Sequence, residues 1–223
     1  MNNTRKYALW AGISILVMAL VAGYSYGYVF NSIVLMGNEI ETYKNLQSSL
    51  DLFVSGIVGW VFILILDLVV AWGIYQFFRD AKKNLALLTA IFRIVYTLFL
   101  GIAISYLIAV LPLVKEKTDA AAIMSALDSF NHYWSLGLIV FGLHLISLSV
   151  LTLKSSAVPT IFAWLLLFAG ISYFGIHVAK ALFSLEVESI MQVEQVLMLP
   201  MAIGELAFAI WLVIKGGKPK NTK

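Results

Sequence analysis

Four ionisable residues stand where the surrounding sequence is as apolar as lipid. The stretch AIFRIVYTLFL, residues 90–100, holds Arg93; Asp67 sits in FILILDLVV, His144 in FGLHLISL and Glu205 in GELAFAIW. A guanidinium is a planar fork that matches carboxylate oxygens better than an ammonium does. Arg93 is therefore expected to be held by Asp67, by Glu205, or by both. His144 adds the one group able to titrate near neutral pH. Such a set can recognise a polar ligand and exchange a proton. It can also serve as a salt-bridge cluster that fixes helix packing, although buried ion pairs rarely add net stability and so need another justification.

A second set follows helical spacing: Gly170, Tyr173, His177, Lys180 and Ser184 recur along one face. It reads either as an access path from the outer side down to the charged residues, with Lys180 at its entrance, or as packing by Tyr173 and snorkelling by Lys180. His144 and His177 differ by about 12 Å along the membrane normal, too far for a shared haem.

Other chemistry finds little support. The chain has no cysteine, which removes disulfides, thiolate nucleophiles and thiolate metal ligands. No H-x-x-x-H, H-E-x-x-H, G-x-S-x-G or phosphate-cradling glycine loop occurs. His144, Asp67 and Glu205 form a conceivable zinc set, but Arg93 competes for the same carboxylates. No residue is assigned a catalytic role, and neither a metal nor a cofactor is expected.

The elements that must position these residues are membrane spans. Hydrophobic residues make up 61% of the chain and charged residues 12%, with a mean hydropathy of +0.94; soluble domains do not have this composition. A span needs about 20 apolar residues, and runs of that kind predict six, at about 7–30, 52–78, 85–111, 133–153, 158–184 and 196–214. The expected fold is a single all-α transmembrane domain, a bundle of six helices. The first run has a basic flank but no small-x-small cleavage site, and reads as a retained helix.

Loop charges set the orientation. Arg5, Lys6, Arg79, Lys82, Lys83, Lys154, Lys215, Lys218, Lys220 and Lys223 share one side with Asp80; Lys44, Lys115 and Lys117 share the other with nine acids. The positive-inside rule places both termini in the cytoplasm. The formal net charge of +3 is thus a topology signal, and no nucleic-acid partner is expected. The expected location is a bacterial plasma membrane, with lipids as neighbours.

Depth ties the first four residues together. At 1.5 Å per residue, Arg93 lies about 14 Å from the cytoplasmic edge at Asn84, Asp67 about 18 Å from Arg79, and His144 and Glu205 about 15 Å from Lys154 and Lys215. All four fall in one layer near the middle of a core about 30 Å thick. Each charge there costs about 2.5–3.5 kcal/mol on insertion scales, so mutual pairing is the economical arrangement.

The connections differ in kind. RDAKKN and KSSAVP are tight turns, with Pro159 suited to a first helical turn. TDAAAIMSALDSF groups Ile123, Leu127 and Phe130 on one face, and EVESIMQVEQ groups Val187, Ile190 and Met191; these segments either lie along the interface or cover the outer mouth. GYSYG at residues 23–27 matches the small-residue packing pattern and is compatible with a homodimer. Tyr24, Tyr26, Tyr28, Trp10 and Trp134 read as interfacial belts.

The motifs LDLVVAWGIYQFFR, LALLTAIFRIVY, FGLHLISLSVLTLKSSAVPTIFAWLLLFAGISY and GELAFAIWLVIKGG resemble the bacterial family known as domain of unknown function 4386. The resemblance implies family residues at Asp67, Phe92 with Arg93, Phe141 to His144, and Gly204 with Glu205. It implies fold and site but no activity. The expected function is binding, and by extension translocation, of a small polar or amphiphilic ligand at the charged layer. An intramembrane lipid-modifying enzyme, with Glu205 or His144 as general base, and a sensor or assembly subunit are the alternatives.

Overall fold

The structure, a computed structural model, describes residues 3–116, 119–183 and 188–218. The described residues form helices and no strands. We label them α1 (Asn3–Ile33), α2 (Glu39–Ser48), α3 (Leu50–Lys115), α4 (Ala120–Leu153), α5 (Thr160–Phe183) and α6 (Glu188–Ile214). All but α2 contain a stretch long and apolar enough to cross a membrane, which makes five such helices among the described residues.

The 66 residues of α3 are more than one crossing requires, since a continuous helix of that length would extend about 99 Å. The backbone is extended at Lys82 (φ −153°, ψ 78°), inside the charged stretch RDAKKN. There the chain turns back, because Asp67 before the break touches Arg93 after it. The stretches 52–78 and 85–111, predicted as separate spans, lie on either side of this break. Helix α4 starts at Ala120, thirteen residues before the predicted span at 133. The amphipathic segment that ends at Phe130 is therefore its first turns, with Ile123, Leu127 and Phe130 buried. Pro159 directly precedes α5, where its missing N–H leaves no helical bond unmade.

The chain divides into two compact units. The first comprises Met1–Val17, Leu66–Thr97 and Ser135–Lys223. Two of its helices approach closely at glycines that lack a side chain. A Cβ on Gly142 would lie 2.6 Å from the Phe174 backbone nitrogen, and one on Gly170 would lie 2.8 Å from the Ile146 nitrogen, so α4 and α5 meet backbone to backbone. The ends of the chain are tied together here. Arg5 Nη1 donates to the carbonyls of Leu212 and Gly216, both at 2.9 Å, and Nη2 donates to Val213, satisfying carbonyls that the end of α6 leaves open. The Trp211 ring lies 5.8 Å from Phe162 and 6.4 Å from Phe77. The turn after Phe78, the start of α5, the end of α6 and the start of α1 thus share one end of this unit.

The second unit comprises Met18–Ile65 and Leu98–Trp134. Within it α1 widens to a π-helix over Gly23–Phe30, and Gly56 and Gly59 leave room for Val29 and Ser25. Tyr26, Phe30, Trp60, Phe130 and Trp134 pack ring on ring, with centroids as close as 4.8 Å between Tyr26 and Trp134. Tyr26 and Trp134 are half-buried in this cluster, whereas Trp10, Tyr24 and Tyr28 are exposed. Asn38 caps α2 by accepting from the Glu41 N–H at 3.1 Å. Thr42 both donates to and accepts from the backbone of Leu35.

Candidate functional site

Asp67, Arg93, His144 and Glu205 meet, all within the first unit. Arg93 Nε donates to Asp67 Oδ1 at 2.8 Å, and Nη2 lies 2.8 Å from the same oxygen without the alignment of a hydrogen bond. Nη1 donates to Glu205 Oε1 at 2.7 Å. Asp67, Arg93 and His144 are buried, while the Glu205 side chain keeps 16% of its surface exposed. The arginine is therefore shared between both acids. The geometry is not a two-oxygen clamp on one carboxylate: each acid offers a single oxygen, and Asp67 Oδ2 is buried without a partner among the described residues.

His144 completes the layer as an acceptor. Its Nδ1 lies 2.8 Å from the Thr89 carbonyl oxygen, which can only accept, so Nδ1 carries the hydrogen. Nε2 then offers its lone pair to Arg93 Nη1 at 3.2 Å. Both ring nitrogens are engaged with the imidazole neutral. Phe141, one helical turn before His144, lies under the guanidinium with its ring centre 5.5 Å from Cζ, in cation–π range. Tyr96, three residues after Arg93, packs on the same ring at 5.0 Å.

From Phe141 an aromatic series continues along α5. Tyr173 meets Phe141 edge-on at 5.2 Å and stacks with His177 at 6.2 Å. His177 Nδ1 is hydrogen bonded to Ser135 Oγ at 2.8 Å. Lys180 does not extend alone: its Nζ lies 2.6 Å from Glu194 Oε2 on α6. Gly170 is a helix-contact residue against α4. Ser184 lies outside the described residues, as does Val187 of the second amphipathic segment.

The sequence does not announce Glu194: the apolar run beginning at 196 leaves it in a loop, whereas α6 starts at Glu188. It also gave no role to Phe141, Tyr96 or Ser135. The three-residue offsets of Phe141 from His144 and of Tyr96 from Arg93 were the available signal, since such offsets share a helix face. Among the described residues, no three His, Asp or Glu side chains converge to hold a metal ion; Arg93 occupies the space between the acids.

Five membrane-length helices and buried ion pairs among the described residues define the class: a helical membrane protein. The chain belongs to the family described as Domain of unknown function (DUF4386), whose model matches residues 10–216. An uncharacterized protein of Archaeoglobus fulgidus is 34% identical over 162 residues, covering 73% of this chain and 84% of that relative. No solved structure matches.

Proposed function

We propose that the protein is a six-span plasma-membrane protein, with both termini cytoplasmic, that binds a small polar or amphiphilic ligand at the layer of Asp67, Arg93, His144 and Glu205. Translocation is the extension of this reading, with the ligand released to the opposite side. Six crossings are supported by the reversal of α3 at Lys82. Arg5 capping the end of α6 puts the first and last helices at one end, as an even number of crossings requires. Basic loops on that side favour the cytoplasm.

The observation that carries the ligand reading is the imbalance of the layer. Two carboxylates surround one guanidinium and a neutral imidazole, and the more exposed carboxylate is Glu205. A cluster built only to join helices gains nothing from a second buried acid, whose desolvation opposes folding. An intramembrane ionisable group that is not needed for packing points to a binding site or pathway.

Accessibility tests it. The chain lacks cysteine, so Glu205→Cys and Asp67→Cys each create a single thiol. Reaction of the residue-205 thiol with a water-soluble cationic methanethiosulfonate, from one side of the membrane and not the other, is expected, with the residue-67 thiol protected. Reaction only with a lipid-soluble maleimide would replace this reading by a lipid-facing enzyme, and no reaction with either reagent would leave a closed structural cluster.

A further inference from the structure

We infer that the part of α6 before Pro200 is a gate over the layer: it pivots at Pro200, and the Lys180–Glu194 pair is the latch that holds it against α5. The gate rests on the ligand-binding reading above and regulates access to that same site. Pro200 lies inside α6. It has no N–H to donate, so the Val196 carbonyl four residues earlier loses its helical bond, and the helix can bend there.

The two sides of Pro200 are held differently. After it, Gly204 approaches α5 so closely that a Cβ would lie 2.8 Å from the Leu165 carbonyl oxygen and 2.9 Å from the Ala169 Cβ. Met201, Phe208, Ala209 and Leu212 are buried, and Arg5 caps the end of the helix. Before it, no described side chain from Gln192 to Leu199 is buried, and Val196 and Leu199 are 74% and 69% exposed. A charge pair ties this part to α5: Lys180 Nζ lies 2.6 Å from Glu194 Oε2, and both side chains keep some exposure. A segment with so little burial opens at lower cost than the packed remainder. An ion pair that is still partly solvated suits a latch, because its net contribution is small and water replaces it on opening.

The latch and the acid share one seam. Glu194, Met201 and Glu205 are separated by seven and then four residues, which returns them to one face of α6. Tyr173 and Lys180, seven residues apart, share a face of α5 in the same way. Tyr173 lies within electrostatic range of both Glu194 and Glu205. Between the two acids Met201 is only 4% exposed, so the seam is shut there. Swinging the first part of α6 away from α5 separates Lys180 from Glu194 and uncovers this face down to Glu205, from the end at which α6 starts. Closed and open forms are two states in equilibrium, and loss of the ion pair raises the open fraction without touching the layer.

The test measures how fast a thiol at residue 201 is modified in the full chain purified in detergent. The chain has no cysteine, so Met201→Cys gives a single thiol. Hydroxyethyl methanethiosulfonate is the reagent, because it is uncharged and a lost lysine does not change its local concentration. Slow modification is expected in the otherwise parental chain. Lys180→Met raises the rate about two- to fivefold, the factor that a partly solvated pair supplies. Combining Lys180→Glu with Glu194→Lys restores the slow rate, and Pro200→Ala abolishes the rise. Ser149→Cys, buried near the other end of α5 against Ala163, reports general loosening and stays unchanged. An unchanged rate in Lys180→Met overturns the latch, as does a rise that the charge swap fails to reverse. A rise that survives Pro200→Ala overturns the pivot. An equal gain at residue 149 means that the whole unit has loosened, and overturns the gate. Each of these results leaves the ligand-binding reading in place while the residue-205 thiol reacts as above; an inert residue-205 thiol rejects that reading instead, and residue 201 still decides the gate.

Discussion

Arg93 donates from Nε to Asp67 Oδ1 at 2.8 Å across 26 residues of chain. In an unbroken helix the two would stand about 39 Å apart. The contact therefore belongs to the hairpin folded at Lys82 and fastens one arm to the other. Glu205 arrives from the last helix, on the far end of the same guanidinium.

Removing the arginine leaves two carboxylates facing each other in low dielectric. Arg93→Leu is expected to lower stability in detergent by about 3–5 kcal/mol, the usual loss when one partner of a buried pair is removed. Adding Asp67→Asn to Arg93→Leu recovers part of that loss, and the double-mutant cycle gives its coupling energy. Thermal unfolding of the three variants checks it. Additive effects at residues 67 and 93 would contradict the hairpin fastening.

The Gly142 contact makes a packing prediction. A methyl group there would press on the Phe174 nitrogen at 2.6 Å and the Gly170 oxygen at 2.8 Å, both backbone atoms that cannot rotate away. Gly142→Ala should destabilise by about 1–3 kcal/mol, as overpacking does. Gly175→Ala, where nothing lies within 4 Å, should be neutral or slightly stabilising. Equal melting temperatures for the two variants would contradict the close α4–α5 approach.

Topology has its own readout. A cysteine at Asp119 should react with an impermeant maleimide added outside intact cells. One at Ser156, in the basic turn before α5, should react only after the membrane is opened. The reverse pattern would invert the assignment of sides.

Much of this arrangement was legible in the sequence because helical rise is constant. Counting from the basic loops placed Asp67, Arg93, His144 and Glu205 at one depth, and they touch. The spacing of Ile123, Leu127 and Phe130 likewise marked a buried face. Rotation about each helix axis is what counting cannot supply. Depth alone did not tell that Arg93 uses one oxygen of each acid, that Nδ1 of His144 faces the Thr89 carbonyl, or that Phe141 lies under the guanidinium. The polar stretch Glu39–Ser48 has no apolar run to announce it, yet Asn38 caps it as helix α2. Glu194 escaped because charged residues pushed the predicted start of the last span inward, whereas pairing with Lys180 allows the helix to carry the acid. Tyr26 and Trp134 have the composition of interfacial belts, and only their neighbours Trp60, Phe30 and Phe130 distinguish a packed cluster.

The central claim is that the second carboxylate is kept for binding and not for holding helices together. The thermal stability of Glu205→Gln compared with Asp67→Asn tests it most directly. Glutamine retains a carbonyl oxygen for Arg93 Nη1 while removing the surplus negative charge, so the account predicts a Glu205→Gln protein as stable as the parent or more so, with ligand binding lost. Asp67→Asn removes the charge that balances Arg93 inside the hairpin and should lose about 3–5 kcal/mol. A Glu205→Gln protein destabilised as much as Asp67→Asn would contradict the claim and make the layer a structural salt-bridge cluster.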